Sequence, residues 1–164
     1  MRGKVLAMPL KANPIFRTIQ ALLVISLLGG AACSPGVPQL LIEEPEAKLS
    51  PVILGVASVF MKIVNSGNGD DRLLSARTDF PGAMAELHDE KDGKMTTLTS
   101  MDISANSTLV LRPAGKHIML FRLPRTMQAG TELRVILTFK RSGERTAIMK
   151  LTNYATRAAR VRYH

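Results

Sequence analysis

The chain has 164 residues, with 22 basic against 13 acidic side chains and a formal charge of +9. Aromatic residues make up only 4% and Trp is absent, so the stacking platforms that single-stranded nucleic acids need are scarce and the basic balance does not point to nucleic acid. The length suits one domain, and a single cysteine excludes a disulfide framework.

Residues 1–20 carry Arg2, Lys4, Lys11 and Arg17 and no acid. The apolar run Ala21-Leu22-Leu23-Val24-Ile25-Ser26-Leu27-Leu28 follows, then the small residues Gly29-Gly30-Ala31-Ala32 and Cys33. A basic start, a short apolar stretch and a small-residue exit describe a secretory signal peptide over 1–32. The run is shorter than the roughly 20 residues of an ordinary membrane span. The alternative is a tilted, uncleaved anchor, but Ser34-Pro35-Gly36-Val37-Pro38 reads as a linker. Ala31-Ala32-Cys33 resembles the bacterial lipobox, which makes Cys33 the acylated first residue of the mature protein. The competing reading is an ordinary signal peptide with a spare thiol. Removing 1–32 takes away four basic residues and leaves 18 against 13 acids, a formal +5. The expected location is the periplasmic face of a bacterial membrane.

Residues 33–50 read as the lipidated Cys with a tether and a first edge, 51–152 as the folded domain, and 153–164 as a tail carrying Arg157, Arg160 and Arg162. Within the domain the pattern is strands. Ala57, Val59, Met61 and Ile63 alternate with Ser58, Phe60, Lys62 and Val64. Asn65 to Asp70 is a turn cluster, and Leu74, Ala76 and Thr78 resume the alternation until Pro81-Gly82. Residues 83–88 and 94–99 flank Asp92-Gly93, a strong hairpin signal. Further strands are expected at 107–112 and 116–123. Leu133, Val135, Leu137 and Phe139 then alternate with Arg134, Ile136, Thr138 and Lys140, and a last strand covers 145–151 with Ala147, Met149 and Leu151 on one face. About eight short strands and no helical period after residue 33 predict an all-β, antiparallel two-sheet sandwich of the immunoglobulin kind.

Chemistry concentrates where His meets Met. His117 and Met119 lie two apart in a strand, on one face and roughly 6.6 Å from each other at about 3.3 Å per residue. If Asp92-Gly93 is a two-residue turn, Lys91 pairs with Lys94, Glu90 with Met95 and His88 with Thr97. His88 and Met95 are then diagonal neighbours on the face that carries Met84 and Glu86, displayed away from the core side of Ala85 and Leu87. Thioether sulfur is soft and neutral and suits Cu(I) rather than Zn²⁺, Mg²⁺ or Ca²⁺, and imidazole completes the set. Met is also a common core filler, and Met61, Met101, Met127 and Met149 are assigned to packing.

Three stretches resemble the bacterial periplasmic copper chaperones called PCuAC: Val59-Phe60-Met61-Lys62-Ile63-Val64-Asn65-Ser66-Gly67, Ala85-Glu86-Leu87-His88, and Leu111-Arg112-Pro113-Ala114-Gly115-Lys116-His117-Ile118-Met119-Leu120. Met95 is followed by 21 residues and then His117-Ile118-Met119, which matches that family's spacing. The His88-to-Met95 hairpin is shorter than the family's, Asp89 stands where a Met is common, and Leu40-Leu41-Ile42-Glu43-Glu44 replaces the family's first strand. The resemblance covers roughly residues 40–152. It implies a cupredoxin-like sandwich with His88, Met95, His117 and Met119 as Cu(I) ligands, and a carrier that hands copper to an acceptor such as a respiratory oxidase copper centre. No nucleophile–base pair or phosphate loop suggests an enzyme. The alternative function is a structural or assembly lipoprotein that binds another protein through its sandwich. His164 is read as a tail residue that could offer copper an extra ligand.

Overall fold

The computed structural model describes residues 36–154. The chain divides into two units, Met1–Ser34 and Pro35–His164, and the described residues all belong to the second. The expected signal peptide, Cys33, the three tail arginines and His164 lie outside them.

Ten strands and no helix make up the described part: β1 Leu40–Leu49, β2 Ala57–Asn65, β3 Asp71–Thr78, β4 Met84–Lys91, β5 Lys94–Leu98, β6 Met101–Ile103, β7 Ser107–Leu111, β8 His117–Phe121, β9 Glu132–Phe139 and β10 Gly143–Asn153. The hydrogen-bonded order is β5-β4-β8-β2-β1-β10-β9-β3-β6, with β7 also on β2. The second strand is shared along its length: Ala57–Val59 pair with β8 and Met61–Asn65 with β7. Val59, Ile63, Leu87 and Ile118 from one half of this order and Leu73, Val135, Leu137 and Ala147 from the other bury into one core cluster. The described part is all-β, as expected, and its strands follow one hydrogen-bonded order that wraps a shared core. Met61, Met101 and Met149 are buried in that core and Met127 packs against it, as assigned.

Two expectations are corrected. The sandwich is not wholly antiparallel, because Ala47–Leu49 of β1 run parallel to Leu151–Asn153 of β10. Nor are residues 40–49 a tether or an edge, since β1 lies between β2 and β10. The pattern is hidden by Glu43, Glu44 and Glu46 and by Pro45. The register shifts between Glu43 and Glu46, where Glu44 has φ 50°. A bulge is where a strand tolerates a proline that cannot donate to the ladder. The fold therefore starts before residue 51.

The Asp92-Gly93 hairpin forms as expected. Both residues have positive φ, 52° and 73°, the requirement of a type I′ turn. Lys91 pairs with Lys94, Glu90 with Met95 and His88 with Thr97.

At the end of the sandwich where the described chain begins, two buried polar side chains organise the loops. Asn65 accepts from the amides of Gln39 and Gly67 and donates to the carbonyls of Gly69 and Ser104. Gly67 sits so close to this strap that a Cβ would lie 2.2 Å from the Val37 carbonyl oxygen. Asp71 accepts from the amides of Arg72, Arg141 and Ser142 and from the Ser142 hydroxyl. Burial pushes its carboxyl up, but the Ser142 hydroxyl and the three amides together outweigh this and hold it below the ordinary value.

Candidate metal centre

The fourth and eighth strands, remote in sequence, are direct neighbours, and His88 stands opposite His117 in their register. Directly opposed residues share a face, so both imidazoles project from the same side of the sheet. Leu87 and Ile118 beside them point the other way, into the core. The ring centroids are 5.8 Å apart. Phe60 lies 6.1 Å from the His117 ring and Phe121 lies 6.2 Å from the His88 ring.

This aromatic packing gives a result the strand pattern did not announce. The face was expected to display His88, yet His88 is only 7% exposed and His117 only 3%. The rings are buried by one another and by two phenyl groups, on the side of the sheet away from the core. The signal for one phenyl group was present, since His117, Met119 and Phe121 fall on alternate positions of β8. Phe60 arrives from β2, a pairing the local pattern does not reveal.

Each imidazole is held by one nitrogen. His117 Nδ1 donates to the carbonyl of Gly115 over 2.8 Å. Gly115 is placed by the Pro113-Ala114-Gly115 turn, which is closed by the Arg112 amide donating to Lys116 O and carries Ala114 at φ 53°. This bond leaves His117 Nε2 as the free lone pair; metal-binding histidines commonly give their other ring N–H to a carbonyl in this way, which fixes the tautomer and the ring orientation. His88 Nε2 lies 2.9 Å from Glu86 Oε2, and its Nδ1 is buried with no hydrogen-bond partner.

The thioethers occupy unlike positions. Met119 is half-buried and stands opposite Glu86 on β4 and Ser58 on β2, one outward step along the strand from His117. Met95 pairs with Glu90, diagonal to His88 on the other side of the histidine pair, and is 48% exposed. His88, His117 and Met119 are thus a compact group and Met95 is its outlying neighbour. Among the described residues no group of three or more His, Cys, Asp or Glu is placed to hold a metal, so an ion here would draw on the thioethers. A soft monovalent ion such as Cu(I) fits two imidazoles and neutral sulfur, and the orphaned His88 Nδ1 is a lone pair such an ion would satisfy.

A model of the LpqE-like lipoprotein family matches residues 40–151. Lxx21020 of Leifsonia xyli subsp. xyli (strain CTCB07), which bears a lipoprotein name, is 30% identical over 117 residues, 68% of this chain and 70% of its own. Among solved structures, the copper-bound PCuAC domain from PmoF2 is similar with a TM-score of 0.60 at 22% identity, over 72% of this chain and 96% of that domain. The CuI-DR1885 solution structure from Deinococcus radiodurans is similar with a TM-score of 0.57 at 20% identity, over 71% of this chain and 83% of that one. At these identities the likeness establishes the fold, which is the one the sequence resemblance implied.

Proposed function

The chain belongs to the LpqE-like lipoprotein family and has the fold of PCuAC domains, and from that premise we propose that it is a Cu(I) carrier held outside the cytoplasm by a lipid on Cys33. One observation carries the reading: His88 and His117 stand opposite each other in the register of adjacent strands, each with one nitrogen engaged, and Met119 takes the next outward position. Copper is the cargo. His88, His117 and Met119 hold it, and Met95 reaches it from the hairpin. Four neutral ligands bind a monovalent soft ion without fixing it for good. Thioethers can be exchanged singly, so a thiolate-rich acceptor, such as the copper centre of a respiratory oxidase, can draw the ion away. No bond in a substrate is broken, so the role needs no catalytic residue. The bilayer is met through the anchor.

An anaerobic titration with Cu(I) against a colorimetric chelator tests the reading. One equivalent withheld from the chelator per chain is expected, and none withheld contradicts it.

A second reading, a protein-binding lipoprotein without metal, has one observation in its favour. Val52, Ile53 and Leu54 are 86%, 55% and 75% exposed in succession, beside a groove lined by Met84, Phe121, Arg122 and Arg125. Consecutive exposed apolar residues mark contact surfaces. The same titration separates the two, because this reading leaves the chelator fully loaded.

A further inference from the structure

Taking the His88–His117 pair as the copper site, the geometry points to Glu86 as the residue that positions His88, so that the two imidazoles meet the metal through unlike nitrogens, Nδ1 of His88 and Nε2 of His117. An ionised carboxylate only accepts hydrogen bonds. The 2.9 Å contact between Glu86 Oε2 and His88 Nε2 therefore places the ring proton on Nε2. In the neutral imidazole this leaves Nδ1 as a bare lone pair. That nitrogen is the one buried side-chain nitrogen or oxygen without a partner among the described residues. Buried acceptors are ordinarily satisfied, and leaving one without a partner is costly, so this lone pair is one that a soft metal ion would satisfy. Turning the ring over would abandon Glu86. Across the strand pair the opposite tautomer is set, because His117 gives its Nδ1 proton to the Gly115 carbonyl.

Glu86 does more than hold the ring. It stands directly opposite Met119, so its carboxylate lies on the metal face beside a thioether ligand. It supplies one negative charge next to four neutral donors and a monovalent cation. A carboxylate that fixes a ligating histidine also raises the basicity of the coordinating nitrogen, and losing such a partner typically weakens metal binding about 10–100-fold. Glu86 is thus a positioning residue, acting on copper through His88.

Histidine-specific ¹⁵N labelling of the detergent-solubilised protein yields signals only from His88, His117 and His164, and long-range ¹H–¹⁵N correlations report which nitrogen of each carries the proton. In the metal-free protein His88 is expected as the Nε2–H form and His117 as the Nδ1–H form. Glu86→Leu should abolish the His88 preference and weaken Cu(I) binding by about 10–100-fold. Glu86→Gln, whose amide oxygen still accepts the bond, should keep the tautomer and lose less. The assignment is overturned by an Nδ1–H His88 in the wild type, by an unchanged tautomer in Glu86→Leu, or by equal copper losses in the two variants. A wild type with the expected tautomers that binds no Cu(I) instead overturns the copper reading and the ligand roles with it.

Discussion

Replacing each methionine by leucine separates the compact part of the site from its outlying member. The sheet lattice gives the magnitudes. With strands about 4.8 Å apart and same-face residues about 6.6 Å apart along a strand, the Met119 Cα lies roughly 7 Å from the midpoint of the histidine pair in the plane of the sheet. The Met95 Cα lies roughly 10 Å away by the same spacing, across two strand steps from His117. The Met119 thioether therefore comes to the metal by leaning along its face, whereas Met95 requires the hairpin to bend over the site. Met119→Leu is expected to lose at least about 100-fold in Cu(I) affinity, or about 2.8 kcal/mol, and Met95→Leu less than about tenfold. The folding cost of Met119→Leu should stay under about 1.5 kcal/mol, because the swap nearly conserves volume, and the exposed Met95 should cost less. Chelator competition under anaerobic conditions, with urea unfolding of the metal-free proteins alongside, measures both. Full affinity retained in Met119→Leu would make Met119 a packing residue, and a larger loss in Met95→Leu would refute the lattice argument.

Three further outcomes are expected. Cys33→Ser should move the protein from the membrane fraction to the soluble fraction or leave it unprocessed, and wild-type fractionation and migration would remove the lipid claim. Asn65→Ala deletes four hydrogen bonds at a buried position and should cost roughly 3–4 kcal/mol in urea unfolding at about 1 kcal/mol each; a loss below 1 kcal/mol, or roughly one bond, would mean that water replaces them. Asp71 has its carboxyl held below the ordinary value. It therefore stabilises the fold fully above the ordinary carboxylate range, and that contribution is lost as pH falls through the lowered folded-state value. Asp71→Asn should accordingly be less stable than wild type at neutral pH and less sensitive to acid, and unfolding curves at neutral and acid pH that stay parallel for the two proteins would contradict this.

The fold was largely legible because its strands advertise themselves locally. Leu133, Val135, Leu137 and Phe139 alternate in the sequence and are buried in β9. Asp92-Gly93 announced its turn and, with it, the registers of His88 and Met95. The first strand was read only as a tether and first edge, not as an inner strand, because its bulge carries a proline among glutamates and neither propensity nor alternation survives there. The three-residue β6, Met101–Ile103, is too short for a period to show. In the candidate site, the pairing of His117 with Met119 followed from their spacing. The placement of His88 opposite His117 did not, because β4 and β8 are joined by a long excursion through β5, β6 and β7 and meet only in the sheet. The burial of both rings was equally out of reach, since Phe60 comes from a third strand. The role of Glu86 depends on a side-chain contact, although its shared face with His88 was visible in the alternation.

X-ray absorption at the copper edge of the Cu(I)-loaded protein counts the atoms around the metal and so decides between thioether and purely nitrogen or oxygen ligation. A mixed shell is expected, with nitrogen at about 2.0 Å from His88 and His117 and sulfur at about 2.3 Å from Met119 and Met95, by analogy with zinc–ligand distances. The sulfur signal should fall in Met119→Leu. A first shell of nitrogen and oxygen alone, or a sulfur signal unchanged in Met119→Leu, would contradict it.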